Sequence, residues 1–234
     1  GLAVNGSTVA MVDRENSLWI AQAGAGLVRL IGGGSWTKFP GIDGVAFDRI
    51  EVIETDGQGG AWLGSGHKLI HARRAAKGWA MEPISLPGES EVNGLTRDPG
   101  GRLWIATLMG TLMKLEPGAV NATAVPILGH RTANIHHLML DSSRRLWLAR
   151  SSDVLRIDPP YGQAVNVLDV RSTWSAECAA GEYWIGAGTN EDRKLPTLYR
   201  IKDGQVQGFG FANGLLDGPV RSIACAPDGE HVVT

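Results

Sequence analysis

Polar side chains that can bind a ligand or transfer protons recur at one spacing along this 234-residue chain. Each of them stands five residues before a position that recurs along the chain and is Asp in four of its six copies. We call this set the polar slot, and it consists of Thr8, Glu51, Asn93, His136, Thr173 and Arg221. The residue just before each of them is mostly apolar, and this packing slot holds Ser7, Ile50, Val92, Ile135, Ser172 and Val220. Brought together, the polar slot would offer hydrogen-bond donors and acceptors of both charges to a small polar ligand.

The sequence gives weaker evidence for a metal site than for a site that binds a polar ligand. The only histidine cluster is His130, His136 and His137, and neighbouring histidines on a strand point to opposite faces, so they do not readily share one metal ion. One histidine with Glu51 or Glu91 remains an alternative, and a solvated or core histidine is the other. The run Asn190-Glu191-Asp192 lacks the spaced carboxylates and the turn glycine of a calcium loop. We therefore expect no metal site and no cofactor.

Catalytic motifs are missing from the sequence. It contains no Gly-x-Ser-x-Gly elbow, no Walker loop and no His-Glu-x-x-His. The segment Gly64-Ser65-Gly66-His67 carries a serine and a histidine, but it falls in the turn after a repeated tryptophan. We therefore predict no catalytic residue in this segment.

Composition narrows the class of protein further. Lys and Arg number 22 against 24 Asp and Glu, a net charge of −2, so no basic field attracts nucleic acid. The longest apolar runs are far shorter than the ~20 residues that cross a bilayer, which excludes a membrane span within this segment. The 32 glycines are roughly twice the usual share and are spread along the chain, as in turn-rich β proteins.

The elements that position the polar slot come from an internal repeat. Four segments place Asp six residues before Trp: Asp13 and Trp19, Asp56 and Trp62, Asp98 and Trp104, and Asp141 and Trp147. A fifth copy has Cys178 before Trp184, and a sixth has lost both residues and ends at Val232-Val233. The tryptophans are 43, 42, 43 and 37 residues apart, and Val232 follows Trp184 by 48. The sequence is therefore a tandem array with a period near 42 residues.

Each period reads as four short strands. In the second copy these are Ile50–Thr55, Ala61–Gly64, Lys68–Ala72 and Trp79–Pro83, separated by Gly-rich turns. Four strands in such a period indicate one blade of a β-propeller. We predict an all-β fold in which residues 1–234 form a single β-propeller segment of about five and a half four-stranded blades. The repeat tryptophans would pack between blades, and the segment would belong to a ring of seven or eight blades completed C-terminally.

The inner strands of a propeller begin at the mouth of its central channel, so the polar slot would converge on one axial pocket. The slots upstream of it add Arg49, Glu91, Asn134 and Arg171. A water-filled channel with satisfied polar groups is the alternative to a ligand site. The ligand-binding residues that we predict are Arg49, Glu51, Glu91, Asn93, Asn134, His136, His137, Arg171 and Arg221.

The copies resemble the two-component regulator propeller repeat. Asn213-Gly-Leu-Leu-Asp-Gly-Pro-Val220-Arg-Ser-Ile223 is similar to the first half of its pattern, and Leu103-Trp-Ile-Ala-Thr-Leu-Met-Gly110 to the second. No repeat tryptophan is followed by Asp, which disfavours a WD40 repeat. The resemblance implies the periplasmic sensor region of a bacterial hybrid histidine kinase or diguanylate cyclase. Its partners would be a small polar ligand such as a saccharide, the rest of the same receptor chain, and a second copy in a homodimer formed through the full-length receptor.

Two other functions remain open at this stage. A propeller lyase or lactonase would use a channel metal held by carboxylates, and the strand-entry slots offer only Glu51, Glu91 and Asp48. A protein-binding scaffold is the third class, since fold alone does not decide function. Cys178 and Cys225 occupy nearly equivalent positions in neighbouring blades, where they are expected to lie close together. Proximity alone does not decide whether they are bonded, and the two cysteines leave the redox compartment undecided.

Overall fold

The computed structural model describes residues 7–13, 15–22, 26–32, 34–39, 41–42, 45–47, 49–127, 132–188, 195–215, 218–226 and 232–233. The chain divides into two compact units, one of Gly1–Leu108 and Leu112–Val125, the other of Met109–Thr111 and Pro126–Thr234. Among the described residues, no helix has both the length and the apolar character needed to cross a membrane.

The first unit contains three four-stranded sheets and one short hairpin. Their strands are β1 (Ser7–Val12), β2 (Leu18–Gln22), β3 (Gly26–Ile31), β4 (Ser35–Phe39), the hairpin β5 (Gly41–Ile42) and β6 (Val45–Ala46), then β7 (Ile50–Thr55), β8 (Ala61–Ser65), β9 (Lys68–Ala75), β10 (Gly78–Ile84), β11 (Val92–Arg97), β12 (Leu103–Thr107), β13 (Leu112–Leu115) and β14 (Thr123–Val125).

The second unit contains two four-stranded sheets, a two-stranded one and a single 3-10 turn at Phe211–Asn213. Its strands are β15 (Ile135–Leu140), β16 (Leu146–Arg150), β17 (Val154–Ile157), β18 (Ala164–Leu168), β19 (Ser172–Ala179), β20 (Glu182–Ala187), β21 (Leu198–Lys202), β22 (Gln205–Phe209), β23 (Ala224–Cys225) and β24 (Val232–Val233).

Every four-stranded sheet is an antiparallel meander in chain order, as predicted for a propeller blade. In the second sheet, β7 to β10 coincide with the four strands predicted from the second repeat, to within three residues at each end. The first strands of successive sheets pack against each other within each unit, β1 on β7 and β7 on β11 in the first, β15 on β19 in the second. We therefore call these first strands inner strands.

In the four blades that have it, the repeated Asp closes the hairpin between the first two strands. Its side chain accepts the backbone N–H four residues later, at 2.8 Å for Asp13 and Ser17 and at 3.0 Å for Asp98 and Arg102. A short polar acceptor is required there because the tight turn leaves this N–H without a strand partner. The Asp of the repeat is thus explained by the turn, without a ligand.

In the first and fourth blades the same carboxylate holds the repeated tryptophan. The indole N–H of Trp19 donates to Asp13 at 2.8 Å, and that of Trp147 donates to Asp141 at 2.9 Å. The spacing of six residues places the indole nitrogen beside the carboxylate across the hairpin. Blade five, which lacks the Asp, pairs the Trp184 N–H with Glu182 at 3.2 Å instead.

Three of the five repeat tryptophans are buried as predicted: Trp19, Trp104 and Trp147 are at most 1 % exposed. Trp62 and Trp184 are partly buried. The indole of Trp62 stacks on His71 with ring centroids 3.9 Å apart, and the imidazole of His71 contacts Asp56 at 3.0 Å. An imidazole therefore stands between the Asp and the Trp in that blade.

The packing slot also behaves as predicted. Its members Ile50, Val92, Ile135, Ser172 and Val220 are all buried. In two blades the residue facing this slot is glycine, and a Cβ on Gly64 or Gly186 would lie 2.8 Å from the side chain of Val92 or Val220, respectively. The small residue two positions after the repeat tryptophan therefore makes room for the next inner strand.

Candidate functional site

The polar slot coincides with a β-bulge at the beginning of each inner strand. In β7, Ile50 pairs with Ser65 and Val52 with Gly64, which leaves Glu51 as the extra residue. The same irregularity leaves one slot residue extra in each of the other inner strands, and these residues are Thr8, Asn93, His136 and Thr173. A bulge takes its residue out of the ladder and redirects its side chain, and bulges are common at the rims of barrels and beside active sites.

The segment before each bulge is fixed by backbone hydrogen bonds to the same blade. The carbonyls of Glu91, Asn134 and Arg171 accept the N–H of Leu108, Ser151 and Gly188 at 2.8, 2.9 and 2.9 Å. These bonds hold the upstream positions in the same place relative to each bulge. The side chains of Glu91, Asn134 and Arg171 are exposed, so they are free to meet solvent.

In the first unit the structure brings Arg49 and Glu51 together as an ion pair. The Arg49 Nη2 donates to Glu51 Oε2 at 3.0 Å, with the arginine side chain 64 % exposed and that of the glutamate 17 %. Asn93 lies partly buried on its own bulge. The charge of Glu51 is therefore already balanced within its own blade.

In the second unit two open depressions contain predicted arginines. One, of about 350 Å³, is lined by Thr197, Leu215, Gly218, Pro219, Val220, Arg221 and Ser222. The other, of about 250 Å³, is lined by Asp169, Val170, Arg171, Ala187, Gly188, Leu195, Pro196 and Tyr199. The N–H of Val220 donates to the carbonyl of Ala187 at 3.2 Å, so a backbone bond joins the walls of the two depressions.

His136 lies close enough to Arg171 to respond to its charge. Burial, reinforced by the Arg171 guanidinium, lowers the pKa of His136 below its usual value. The imidazole is therefore biased toward its neutral form, which can both donate and accept a hydrogen bond. Of the predicted residues, Arg171 and His136 are the pair that the second unit brings into electrostatic contact.

His137 does not share this environment. Its ring stacks on Trp174 of β19 at 3.9 Å between centroids, and its Nδ1 lies 3.1 Å from the Ser175 hydroxyl. Burial lowers the pKa of His137 to about 4, so the imidazole is neutral at pH 7. The two adjacent histidines point to different surroundings, and His137 packs between β15 and β19. The convergence of the other eight residues on one pocket stays a prediction.

Cys178 and Cys225 lie close together, as expected, and the structure settles the bond that the sequence left open. The two residues form a disulfide, with their Cα atoms 5.1 Å apart. Cys178 is in the position that Asp occupies in the other blades, and Cys225 lies on β23, which packs on β19. In the fifth blade a covalent link to β23 therefore replaces the Asp of the turn.

Sequence reasoning missed a buried ion pair next to the polar slot. Arg150 and Asp153 form a bidentate ion pair in which both N–O distances are 2.6 Å, and Arg150 is 2 % exposed. The hydroxyl of Ser172 donates toward the carbonyls of Arg150 and Asp153 at 3.1 and 3.0 Å. The available signal was an Arg at a repeat position that holds Gln, Ser, Thr or Ala in the other copies.

Other sequence candidates are placed as follows. Ser65 is buried at the end of β8, and His67 is exposed in the following turn. Asp48, His130 and Asn190–Asp192 lie outside the described residues. Within the residues that are described, no group of three or more His, Cys, Asp or Glu side chains is arranged to hold a metal ion.

Several solved structures share the fold. The extracellular domain of a putative hybrid two-component system from B. thetaiotaomicron matches with a TM-score of 0.78 and 14 % identity over 96 % of this chain and 32 % of that chain. Virginiamycin B lyase from Staphylococcus aureus matches with a TM-score of 0.74 and 16 % identity over 95 % of this chain and 75 % of that one. PorZ, a surface component of the type-IX secretion system of Porphyromonas gingivalis, matches with a TM-score of 0.71 and 16 % identity over 93 % and 35 %.

This chain spans about a third of the length of the first of these structures. No protein-family model and no protein of curated function matches the chain. The likeness establishes the fold, and at these identities it establishes no activity. Five four-stranded antiparallel blades and these neighbours make the chain an all-β protein of the β-propeller class.

Proposed function

We propose that this chain is a ligand-sensing, non-catalytic propeller segment in the periplasmic part of a bacterial two-component or diguanylate cyclase receptor. The observation that carries the proposal is the pair of depressions in the second unit, each with an exposed arginine from the predicted set. Concave sites with a few converging polar groups are the usual places for small ligands. The ligand would be a small polar molecule, and the signal would pass to the rest of the same receptor chain in a homodimer.

The sensor is favoured over other propeller functions by two facts. The fold of an extracellular domain from a putative hybrid two-component system matches 96 % of the chain. The disulfide between Cys178 and Cys225 fits an extracytoplasmic location, because structural disulfides form and persist mainly in oxidising compartments such as the periplasm.

A thermal-shift screen of neutral sugars, sugar acids and organic acids tests the proposal. We expect at least one compound to raise the melting temperature of the wild-type protein, since a ligand that binds only the native state stabilises it. The gain should shrink in His136→Ala and Arg221→Ala and persist in Arg144→Gln, which removes an exposed charge at the opposite end of a blade. Equal stabilisation of all four proteins, or of none, would contradict the proposed site.

The enzymatic alternative rests on the likeness to virginiamycin B lyase. Its test is incubation of the protein with quinupristin, the compound present in that lyase structure, followed by chromatography and mass spectrometry. The sensor proposal expects quinupristin to be recovered unchanged. Conversion by wild-type protein would replace the sensor proposal with a lyase.

A further inference from the structure

The larger depression of the second unit has one charged group and a mixed wall. Thr197 and Ser222 supply hydroxyls, and Leu215, Pro219 and Val220 supply apolar surface. Among the described lining residues, Arg221 supplies the only charge. Its volume of about 350 Å³ lies at the lower end of the roughly 300–1,000 Å³ of small-molecule sites. The space therefore suits one molecule of monosaccharide size.

Arg221 is an exposed cation that forms no ion pair with any carboxylate of the described residues. Several other arginines of the second unit are paired, namely Arg145 with Asp141, Arg150 with Asp153, Arg156 with Asp158, and Arg200 with Glu182. With respect to the described residues, the guanidinium of Arg221 therefore has donors open to an external anion.

The neighbouring depression differs from this one in charge. Arg171 lines the neighbouring depression and likewise has no ion-pair partner among the described residues. Asp169 lines that depression too, and its Oδ1 accepts a hydrogen bond from Asn166 at 2.6 Å. The depression beside Arg221, in contrast, has no acidic side chain among the lining residues that the structure describes. An anion is thus favoured beside Arg221 and opposed by a carboxylate beside Arg171.

We propose that the depression beside Arg221 binds a small hydroxylated carboxylate, of the class of sugar acids, and this rests on the proposed sensor function. The guanidinium presents a planar fork of N–H donors that matches the two oxygens of a carboxylate. The hydroxyls of Thr197 and Ser222 can donate to and accept from the ligand's hydroxyl groups. The apolar side chains of Leu215, Pro219 and Val220 cover the C–H face of the ring.

Isothermal titration calorimetry with matched pairs of ligands tests this inference. Galacturonate and galactose, and likewise glucuronate and glucose, differ in the carboxylate that replaces the terminal hydroxymethyl group. We expect wild-type protein to bind at least one of the two acids more tightly than its neutral counterpart. Arg221→Gln should weaken binding of the acid by about tenfold to a hundredfold, the loss of one charge-assisted contact.

Arg144→Gln is the matched control, since it removes the same charge from an exposed turn at the other end of a blade. It should bind the acid as wild-type protein does. Arg221→Lys keeps the charge without the planar fork and should recover only part of the affinity. The melting temperatures of the unliganded variants should equal that of wild type, because Arg221 is exposed and makes no ion pair among the described residues.

Three outcomes overturn the inference. They are failure of both acids to bind, equal affinity for an acid and its neutral counterpart, and unchanged affinity in Arg221→Gln. If a compound of the thermal-shift screen still binds in any of these cases, the sensor function stands. Only the charge of the ligand, or its contact with Arg221, is then wrong. If no compound binds in the screen either, the sensor function fails as well.

Discussion

At the scale of the residue, the repeated Asp is a structural element of the turn. Asp141 accepts hydrogen bonds from the backbone N–H and the Nε of Arg145, from the Trp147 indole and from the Tyr183 hydroxyl, at 2.7 to 3.0 Å. Burial opposes its charge, but these donors outweigh burial and lower the pKa of Asp141. The carboxylate is therefore ionised and almost fully satisfied at neutral pH.

Replacing Asp141 with Ala should lower the free energy of unfolding by about 3–5 kcal/mol, because it leaves a buried indole N–H and a tyrosine hydroxyl without their acceptor. Urea unfolding followed by tryptophan fluorescence measures the loss. Asp158→Ala is the control, since its ion pair with Arg156 is half exposed and worth less than about 1 kcal/mol. Equal losses in the two variants would show that the turn does not depend on the carboxylate.

Glu54 makes the stability depend on pH. Burial raises the pKa of Glu54 to about 7, against a weaker opposing effect of the Thr55 N–H and of Arg97. The folded state then binds a proton that the unfolded state has released, so the free energy of unfolding falls as pH rises from 5 to 8. Wild-type protein should lose about 2–3 kcal/mol more over this interval than Glu54→Gln does.

Urea unfolding at pH 5 and pH 8 measures this difference. Glu89→Gln removes an exposed carboxyl and serves as the comparison, since it should retain the wild-type dependence on pH. A Glu54→Gln protein with the same pH dependence as wild type would mean that the carboxyl is solvated in the folded state.

At the scale of the element, the first hairpin of each four-stranded blade has one left-handed backbone position. It is the third residue after the repeated Asp, or after Cys178 in the fifth blade, with a φ of 59° in Asn16, 87° in Gly59 and Gly101, 63° in Arg144 and 79° in Gly181. Glycine adopts this region without cost, asparagine adopts it with little, and arginine is strained by its Cβ. The fourth blade therefore carries a turn residue that its backbone disfavours.

Arg144→Gly should raise the free energy of unfolding by about 0.5–1 kcal/mol, as expected when backbone strain is relieved at the cost of a more flexible unfolded chain. The side chain is exposed, so few contacts are lost. Arg144→Ala, which keeps a Cβ in the left-handed turn, is the matched comparison and should not stabilise the protein. Chemical denaturation of the three proteins decides between them, and a less stable Arg144→Gly would assign the arginine side chain a stabilising contact.

The bulges show what the sequence could predict at this scale and what it could not. Spacing alone placed the polar residues Glu51, Asn93 and His136 at one position, and alternation placed their buried neighbours Ile50, Val92 and Ile135. The pattern of polar and apolar residues in one strand does not reveal a bulge, because a bulge is a shift in the pairing between two strands. The polar slot is therefore polar in part because the bulge removes it from the ladder.

At the scale of the whole molecule, the repeat made the fold predictable from the sequence, and local exceptions to the repeat made the candidate site difficult to predict. The copies with Asp and Trp report the same hairpin, so the four strands per period followed from the period itself. Arg150 with Asp153, and Cys178 with Cys225, occur once each, so no repeated pattern identified their partners. Such single departures from the repeat are therefore harder to predict from the sequence than the repeated hairpin is.

The disulfide links the stability of the whole molecule to the compartment in which it folds. Cys178 and Cys225 are 47 residues apart and join β19 to β23, an inner strand to the short strand packed on it. In the chain-entropy description, a loop of this length stabilises the folded state by about 4 kcal/mol, because the crosslink restricts the unfolded chain. Cys178→Ser with Cys225→Ser should lower the free energy of unfolding by about 2–4 kcal/mol.

The compartment enters through oxidation of the same pair. Protein exported to the bacterial periplasm should contain no free thiol and should unfold at a higher urea concentration than protein kept in a reducing cytoplasm, while the double serine variant should behave identically from both sources. Thiol titration and urea unfolding of the four preparations measure this. The reason is that the disulfide stabilises the folded state only when the two thiols are oxidised. A protein that depends on this bond is therefore stable only in an oxidising environment. Equal stability of the oxidised and reduced wild-type protein would show that packing of β23 on β19 suffices without the bond.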